Sequence, residues 1–351
     1  MTPNRRLSLL PALVSLLLIA GGASGQGEAS SCPALIDTVL ATAGARCRGT
    51  ERNQICYGND ALQAEPAALL QNPGDIAPVA GLQSLHLTPI NPQTGQWGVA
   101  LARLQVNLPD TLPGENVTFL MYGDVVFEPL QQGAQSAVQA FRLATGIGGV
   151  RCGETEMNGL IVQTPETSAK VSFTLNGVEI RMGSTIQFTA QANGVMTVRA
   201  LEGAAVVRAA GLGSAAAAGS QVTVPLDAAL EPAAAPDFPV AYAREEVAAL
   251  PVALLERSIE IADPLSDEAL EALIALIESD DAGDFDLDDW LEGDDYQDFI
   301  DAYDDDSGDD SEPDDSDGGG ELAGDVDSGG GDDSGGSGDD SGGGGDDSGG
   351  D

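Results

Sequence analysis

The sequence pattern that most resembles a metal site is a run of alternating acids towards the C-terminal end of the chain. Five carboxylates occupy positions 1, 3, 5, 9 and 12 of an EF-hand-type calcium loop: Asp284, Asp286, Asp288, Glu292 and Asp295. Position 6 is Asp289 where such a loop uses glycine, and position 12 is an aspartate where a bidentate glutamate is usual. The spacing therefore predicts no cofactor beyond weakly bound calcium.

The same acidic segment has a second interpretation, in which its apolar residues anchor it and no specific ion is bound. A helix is predicted to precede it, with Ser266 as N-cap and Asp267-Glu268 in the first turn, where acids complement the helix dipole. Apolar residues then repeat at helical spacing: Tyr296, Phe299, Ile300 and Tyr303. This face predicts anchoring to the body of the protein or to a partner.

Residues suited to catalysis are few. His86 is the only histidine, and its neighbours Leu85 and Leu87 favour a half-buried strand rather than the site of a general base. Carboxylate pairs of the kind that a glycosidase needs lie outside the acidic region: Glu154/Glu156, Glu245/Glu246 and Asp227/Glu231. Nothing selects one of these pairs, so the sequence predicts a protein that is not an enzyme. A carbohydrate-active enzyme is an alternative.

The N-terminal residues have the pattern of a secretory signal. Arg5-Arg6 supplies the positive charge, Leu7–Ala20 the apolar stretch, and Ala23-Ser24-Gly25 the small residues of a cleavage site. An uncleaved membrane anchor is the alternative, but the apolar stretch is short for a membrane span. We therefore expect removal of Met1–Gly25 and an exported protein, secreted or periplasmic, with no integral membrane segment.

Four cysteines follow the predicted signal: Cys32, Cys47, Cys56 and Cys152. An even number of cysteines in an exported chain favours two disulfides over a zinc site. A helix predicted over Pro33–Ala43 would hold Cys32 and Cys47 roughly 20 Å apart, too far for a bridge. We expect Cys32–Cys56 and Cys47–Cys152, which would staple the N-terminal segment to the β region.

Negative charge is concentrated at the C-terminal end. The net charge is −43, and residues 279–351 hold 30 acids and no base, which leaves 27 acids against 14 bases elsewhere. Binding to nucleic acid depends on clustered Lys and Arg, and Lys170 is the only lysine, so nucleic acid is excluded as a partner. Residues 307–351 are almost entirely Gly, Asp and Ser, and this composition predicts a disordered acidic tail.

The stretch Gly159–Leu226 carries the clearest signal of fold. Short runs of β-prone residues alternate there with turn residues: Asn176-Gly177, Gly183-Ser184, Asn193-Gly194 and Glu202-Gly203. Asn-Gly between alternating runs predicts a hairpin, because a type I′ turn needs positive φ at both central residues. Gly203 lies between two β-prone runs, and its position predicts a tight reversal or a bulge. The predicted fold is mainly β, an antiparallel sandwich or roll with a short disulfide-stapled helical N-terminal segment and the disordered acidic tail.

Part of this stretch resembles the FecR-like domain. The resemblance is carried by a series of strand-and-turn motifs: Val162–Pro165, Gly183–Phe188, Thr197–Val206 and Ala218–Val224. That family is the all-β extracytoplasmic domain of bacterial iron-dicitrate-type regulators and of many secreted proteins, and it implies a binding or scaffolding role outside the cytoplasm. Regulators of the family also carry a cytoplasmic anti-sigma segment and a membrane helix before the domain, and neither is recognisable here.

These observations predict a chain of successive segments and one general function. The segments are 1–25 (signal), 26–75 (cysteine-containing and helical), 76–150 (first β unit), 151–226 (FecR-like domain), 227–265 (Ala/Pro-rich linker and docking segment), 266–306 (acidic helices) and 307–351 (tail). The predicted function is that of an exported, non-catalytic binding or scaffolding protein whose partner is a protein or a polysaccharide. A sensory module that acts with a membrane partner is the further alternative.

Overall fold

The structure is a computed structural model that describes residues 32–105, 116–130, 140–146, 151–165, 170–283, 285–293 and 295–304. The predicted signal, the predicted tail and Asp284 lie outside these residues, as do the side chains of Glu292 and Asp304. Within the described part of the chain, no helix is long and apolar enough to cross a membrane.

Strands make up most of the regular structure. Their bounds are β1 Gln54–Asn59, β2 Leu62–Glu65, β3 Ile76–Pro78, β4 Ser84–Leu87, β5 Val99–Leu104, β6 Val117–Tyr122, β7 Val125–Leu130, β8 Ala140–Thr145, β9 Arg151–Cys152, β10 Thr155–Glu156, β11 Gly159–Gln163, β12 Val171–Leu175, β13 Val178–Ala190, β14 Val195–Ala209, β15 Leu212–Ala217, β16 Ser220–Pro225 and β17 Val240–Ala241. The helices are α1 Cys32–Cys47, α2 Arg244–Val247, α3 Asp267–Ala282, α4 Leu287–Glu292 and α5 Asp295–Asp304.

Two long strands, β13 and β14, run through both layers of a sandwich. The first half of β13 pairs with β12 and its second half with β11, whereas β14 pairs first with β16 and then with β15. The first layer is therefore β2-β4-β7-β8-β12-β13-β14-β15, and the second layer is β3-β1-β5-β6-β11-β13-β14-β16-β17. The predicted mainly β, antiparallel sandwich or roll is confirmed, with one parallel pair, β8 and β12, among the described strands.

The change of layer occurs at a bulge between β13 and β14. Gly203 has φ 71° and its partner Ser184 has φ 85°, and the register shifts so that Leu201 has no opposite residue. A bulge bends a strand without ending it. The turns expected at Gly183-Ser184 and Glu202-Gly203 are therefore wrong, because both pairs bend a continuous strand. The bulge that the sequence also allowed at Gly203 is present.

The Asn-Gly turns are present. Asn176 and Gly177 have φ 53° and 75°, both positive, between β12 and β13, as a type I′ hairpin requires. Asn193, with φ 54°, lies in the four-residue connection from β13 to β14.

The β region does not stop at residue 151, because β6 pairs with β11 and β8 pairs with β12. The described strands between residues 76 and 150 therefore continue the same sheet, and the predicted helical segment 26–75 also contributes β1 and β2.

The core between the layers is organised around phenylalanine, although aromatic residues are only 4% of the chain. The ring of Phe119 in the second layer lies 5.1 Å from that of Phe141 and 6.0 Å from that of Phe173, both in the first layer. Ring contacts at such distances add to the stabilisation from burial. The aromatic cluster therefore fastens one layer to the other.

Helical segments cover the outer faces of both layers. On the second layer, α1 and residues 242–261 form one apolar cluster with side chains such as Leu120, Ile161 and Leu201. On the first layer, α3, α4 and α5 bury Leu273, Trp290 and Phe299 against the alanines and valine of β14 and β15. The Ser266 N-cap is confirmed, because its side chain accepts a hydrogen bond from the Ala269 amide.

All four cysteines are paired, but the pairing differs from the prediction. The bridges are Cys32–Cys152 and Cys47–Cys56, with Cα atoms 5.7 and 5.6 Å apart. Helix α1 keeps Cys32 and Cys47 at opposite ends, as expected. The expected Cys32–Cys56 and Cys47–Cys152 bridges are wrong, because β1 follows α1 after a short turn and brings Cys56 back to the C-terminal end of the helix.

Candidate functional site

The acids of the predicted calcium loop lie in and around a short helix. Asp286 is the N-cap of α4, and its side chain accepts a hydrogen bond of 2.9 Å from the Asp288 amide. Asp288 contacts Arg208 Nε at 3.2 Å, and Asp295 begins α5 with an exposed side chain. The structure therefore directs Asp286 and Asp288 towards arginine. Among the described residues, no three side chains form a group that could hold a metal ion.

The candidate catalytic residues are brought together only in part. His86 is exposed on β4, and Asp227 lies in a turn where its carboxylate accepts from the amides of Ala229 and Glu231. By contrast, Glu154, Glu156 and Glu246, from two of the predicted carboxylate pairs, line one cleft on the outer face of the second layer. This cleft is the candidate functional site.

The centre of the cleft is Arg199, which projects from β14. Its side chain is only 14% exposed, although it lies on an outer face of the sandwich. Its Nε donates to Gln221 Oε1 at 2.7 Å, Nη1 to Gln187 Oε1 at 2.8 Å, and Nη2 to Glu246 Oε2 at 3.2 Å. Burial lowers the pKa of the guanidinium, and Glu246 partly offsets that effect.

The hydrogen bonds of Arg199 extend into the apolar part of the second layer. Gln187 Nε2 donates to the hydroxyl of Tyr122 at 2.8 Å, so the orientation of the Gln187 amide is fixed at both ends. The Tyr242 ring lies 6.0 Å from the guanidinium carbon of Arg199. Burial raises the pKa of Tyr242 to about 12 and keeps its hydroxyl neutral, and that hydroxyl donates to the Ala262 carbonyl. Arg199 is therefore held in one orientation before any ligand binds.

Two further elements form the walls of the cleft. The β9–β10 hairpin supplies Arg151, which contacts Glu154 at 3.4 Å and Glu156 at 3.0 Å. Helix α2 supplies Glu246 and is tied to this hairpin by Thr155, whose hydroxyl donates to the Glu245 carbonyl and accepts from the Ala249 amide. The enclosed volume is about 210 Å³, and the other lining residues come from β13, β14 and their connection: Thr189, Gln191, Val195 and Thr197.

Sequence reasoning missed Arg199, although a signal was present. Polar residues alternate with apolar ones in β13, β14 and β16, and this alternation places Gln187, Arg199 and Gln221 on the same face. The structure pairs Gln187 with Arg199 and Arg199 with Gln221 directly across neighbouring strands. This alignment across three strands depends on how distant segments pair, which the alternation alone does not specify.

A second polar cluster surrounds the bulge and has a structural role. Arg257 donates to both carboxylate oxygens of Glu202 at 2.6 Å, and the Ser184 hydroxyl donates to the same carboxylate. Gln163 accepts from the Arg257 amide and donates to its carbonyl. Burial opposes the charge of Glu202, but the bonds from Arg257 and Ser184 hold the pKa of that carboxyl below its ordinary value. We call Arg257, Glu202, Ser184 and Gln163 the Glu202 clamp, and it fastens the covering segment 242–261 to the bulge.

Comparison of the chain with protein-family models, with curated proteins and with solved structures found no match. The resemblance to the FecR-like domain therefore stays a prediction from the motifs in Val162–Val224, which the structure distributes over β11, β13, β14 and β16.

Proposed function

We propose that the protein is an exported, non-catalytic binding protein of the bacterial envelope or extracellular space, and that its ligand enters the Arg199 cleft. The observation that carries the proposal is the fixed orientation of the nearly buried Arg199 on the outer face of the second layer, which Gln187, Gln221 and Glu246 determine. Preorganised polar groups in a concave site are typical of ligand binding. The two disulfides support an address in an oxidising compartment.

A blocking substitution tests the cleft. Thr197 lines the cleft and is only partly buried, so we expect Thr197→Trp to fill the cavity without removing Arg199 or its partners. Gln63→Trp is the matched control, because Gln63 is an exposed residue of the edge strand β2 in the other layer. We expect wild type and Gln63→Trp to cosediment with an envelope or extracellular-polymer fraction, and Thr197→Trp to remain in solution. Equal cosedimentation of all three would contradict the proposal.

Export has its own test. Native protein recovered from the periplasm or the medium should take up no alkylating label before reduction and four labels after it, because all four cysteines are paired. N-terminal sequencing of the protein in this fraction should show that its first residue is Gln26, the residue after Gly25. Protein found only in the cytoplasm, with free thiols, would contradict the proposed address.

One observation favours a second candidate function, a glycoside hydrolase. Glu154, Glu156 and Glu246 line the same cleft, and glycosidases use two carboxylates on either side of the scissile bond. Each of these carboxylates contacts an arginine, which suits a binding role better than proton transfer. Release of reducing sugar from a polysaccharide panel, abolished by Glu156→Gln or Glu246→Gln, would establish the enzyme and displace the proposal.

A further inference from the structure

The cleft opens onto a regular polar platform formed by β13, β14 and β16. One row across these strands is Gln187, Arg199 and Gln221, and the next row is Thr189, Thr197 and Thr223. Neighbouring strands lie about 4.8 Å apart, and successive rows on one face lie about 6.7 Å apart. Gln187 is buried, and the Thr223 hydroxyl donates to the Asp237 carboxylate. The platform therefore offers a ligand the hydroxyls of Thr189 and Thr197, the Gln221 amide and the Arg199 guanidinium, at spacings comparable to those between the hydroxyl groups of a sugar chain.

Apolar side chains border these polar rows. Val195, 40% exposed, and its partner Pro225 follow the threonine row, while Val240, 52% exposed, lies beside Gln221. Phe238, two residues before Val240, is 49% exposed. Exposed apolar groups next to fixed hydrogen-bonding groups fit a ligand that carries both hydroxyl groups and C–H surfaces.

The charges around the cleft balance almost completely. Arg199 contacts Glu246, and Arg151 contacts both Glu154 and Glu156, which gives two positive against three negative groups. Residues 1–278 hold 27 acids against 14 bases. This excess of negative charge disfavours a polyanion, and both arginines among the described cleft residues are already paired with carboxylates. The charge balance therefore favours an uncharged ligand.

The available hydrogen bonds also suit hydroxyl groups. The three bonds of Arg199 within the described structure use three of its five N–H donors. The hydroxyls of Thr189 and Thr197 can donate or accept, and the glutamates accept only. A sugar hydroxyl donates and accepts at the same oxygen, so it can bridge an arginine and a glutamate in one site.

We infer that the Arg199 cleft binds one sugar unit of a neutral polysaccharide, with neighbouring units lying along the threonine row and its apolar border. This inference rests on the proposed function, because it names the ligand class of the same cleft. The cavity of about 210 Å³ is below the range of drug-sized sites, about 300 to 1,000 Å³, and it suits a single ring rather than a longer buried segment.

Affinity electrophoresis of the mature chain tests the ligand class directly. The gels contain neutral polysaccharides (a glucan, a mannan, a galactan) or acidic ones (alginate, polygalacturonate). We expect retardation by at least one neutral polymer and by no acidic one, and the same retardation at low and at high sodium chloride. Thr197→Trp, and Thr189→Trp as a second blocking variant, should weaken binding about tenfold or more, whereas Gln63→Trp should not.

The outcomes separate the ligand class from the site. Binding to an acidic polymer alone, lost in Thr197→Trp, would overturn the neutral sugar and leave the cleft as the binding site. Binding to a neutral polymer that both blocking variants retain would overturn the cleft itself. If no polysaccharide binds while the envelope fraction still retains wild type and not Thr197→Trp, the inference fails and the proposed function stands. Melting curves of each variant would identify one that fails to fold.

Discussion

At the scale of single residues, Gly203 determines where β13 and β14 pass from one layer of the sandwich to the other. Its φ of 71° lies in the region that glycine tolerates and other residues rarely adopt. A Cβ atom at this position would approach the Gly183 carbonyl oxygen to 2.3 Å, which is a collision with backbone that cannot rotate away. The bulge therefore needs glycine for two separate reasons, its conformation and its close contact with β13.

A pair of substitutions separates these two reasons. Gly211 also has positive φ, 83°, but a Cβ there meets no atom of the described residues within 4 Å, so Gly211→Ala should cost only the strain, about 1 kcal/mol. Gly203→Ala should lower the free energy of unfolding by at least about 2 kcal/mol more, because the backbone must move as well. Urea denaturation measures both values. A similar decrease in the free energy of unfolding for the two variants would show that the backbone of β13 can move at this point without an energetic penalty.

The clamp on Glu202 predicts a dependence of stability on pH. Because its pKa is lower in the folded protein than its ordinary value of 4.5, the clamp contributes fully above about pH 4.5. That contribution is lost as the pH falls through the lower, folded value. Glu202→Gln should therefore reduce the melting temperature at pH 7 and flatten its acid dependence below pH 4.5.

A surface substitution controls for the general effect of charge. Glu179 is an exposed residue of β13, and Glu179→Gln should leave the acid dependence of the melting temperature close to that of wild type. An equally flattened curve for Glu179→Gln would mean that the Glu202 clamp is not the source of the dependence.

At the scale of elements, the acidic helices dock through both apolar and charged contacts. Arg208 on β14 reaches Asp280 at 3.1 Å and Asp288 at 3.2 Å, and the Asp280 side chain is only 9% exposed. Burial opposes the charge of Arg208, but Asp280 and Asp288 raise its pKa. Asp280 also accepts from the Leu287 amide, so one carboxylate joins α3, α4 and the sheet.

Arg208→Gln should loosen these helices selectively. Removal of the arginine leaves Asp280 nearly buried without its cation, at a cost of about 2 kcal/mol. Hydrogen exchange by mass spectrometry should show faster exchange in peptides from α3, α4 and α5 and little change in β5 or β6. Arg142→Gln is the control, because the side chains of Arg142, Glu128 and Glu231 are 36–51% exposed and their ion pairs contribute little. Equal acceleration in both variants would contradict the role of Arg208.

Local sequence signals predicted the elements that depend on adjacent residues, and they failed for features that depend on contacts between residues far apart in the sequence. Asn176-Gly177 and Ser266 were recognised because a hairpin turn and an N-cap depend on adjacent residues. The passage of β14 from one layer to the other was not recognised, because a glycine such as Gly203 gives the same local sequence signal in a turn and in a bulge. The cysteine pairing failed for a related reason, because the return of β1 to the C-terminal end of α1 depends on the sheet and not on the spacing of Cys47 and Cys56.

At the scale of the whole molecule, the charge is divided unevenly between the body and the C-terminal residues. Residues 279–351 carry 30 acids and no base, so this part of the chain must attract divalent cations whatever its structure. Binding of calcium alone therefore does not distinguish an ordered site from a polyanion. The number of ions, their affinity and their response to salt do distinguish them.

We expect calcium to bind the full mature chain at many weak and equivalent sites. Calorimetric titration should show a gradual curve that weakens strongly when sodium chloride is added, because mobile ions screen exposed charges. Asp286→Asn should leave the curve almost unchanged, since the Asp286 side chain caps α4 and contacts Arg208. Truncation after Asp306 removes many of the acids and should reduce the number of ions bound. One ion that binds tightly, resists salt, survives truncation and is lost in Asp286→Asn would establish instead an ordered calcium site around Asp284–Asp295.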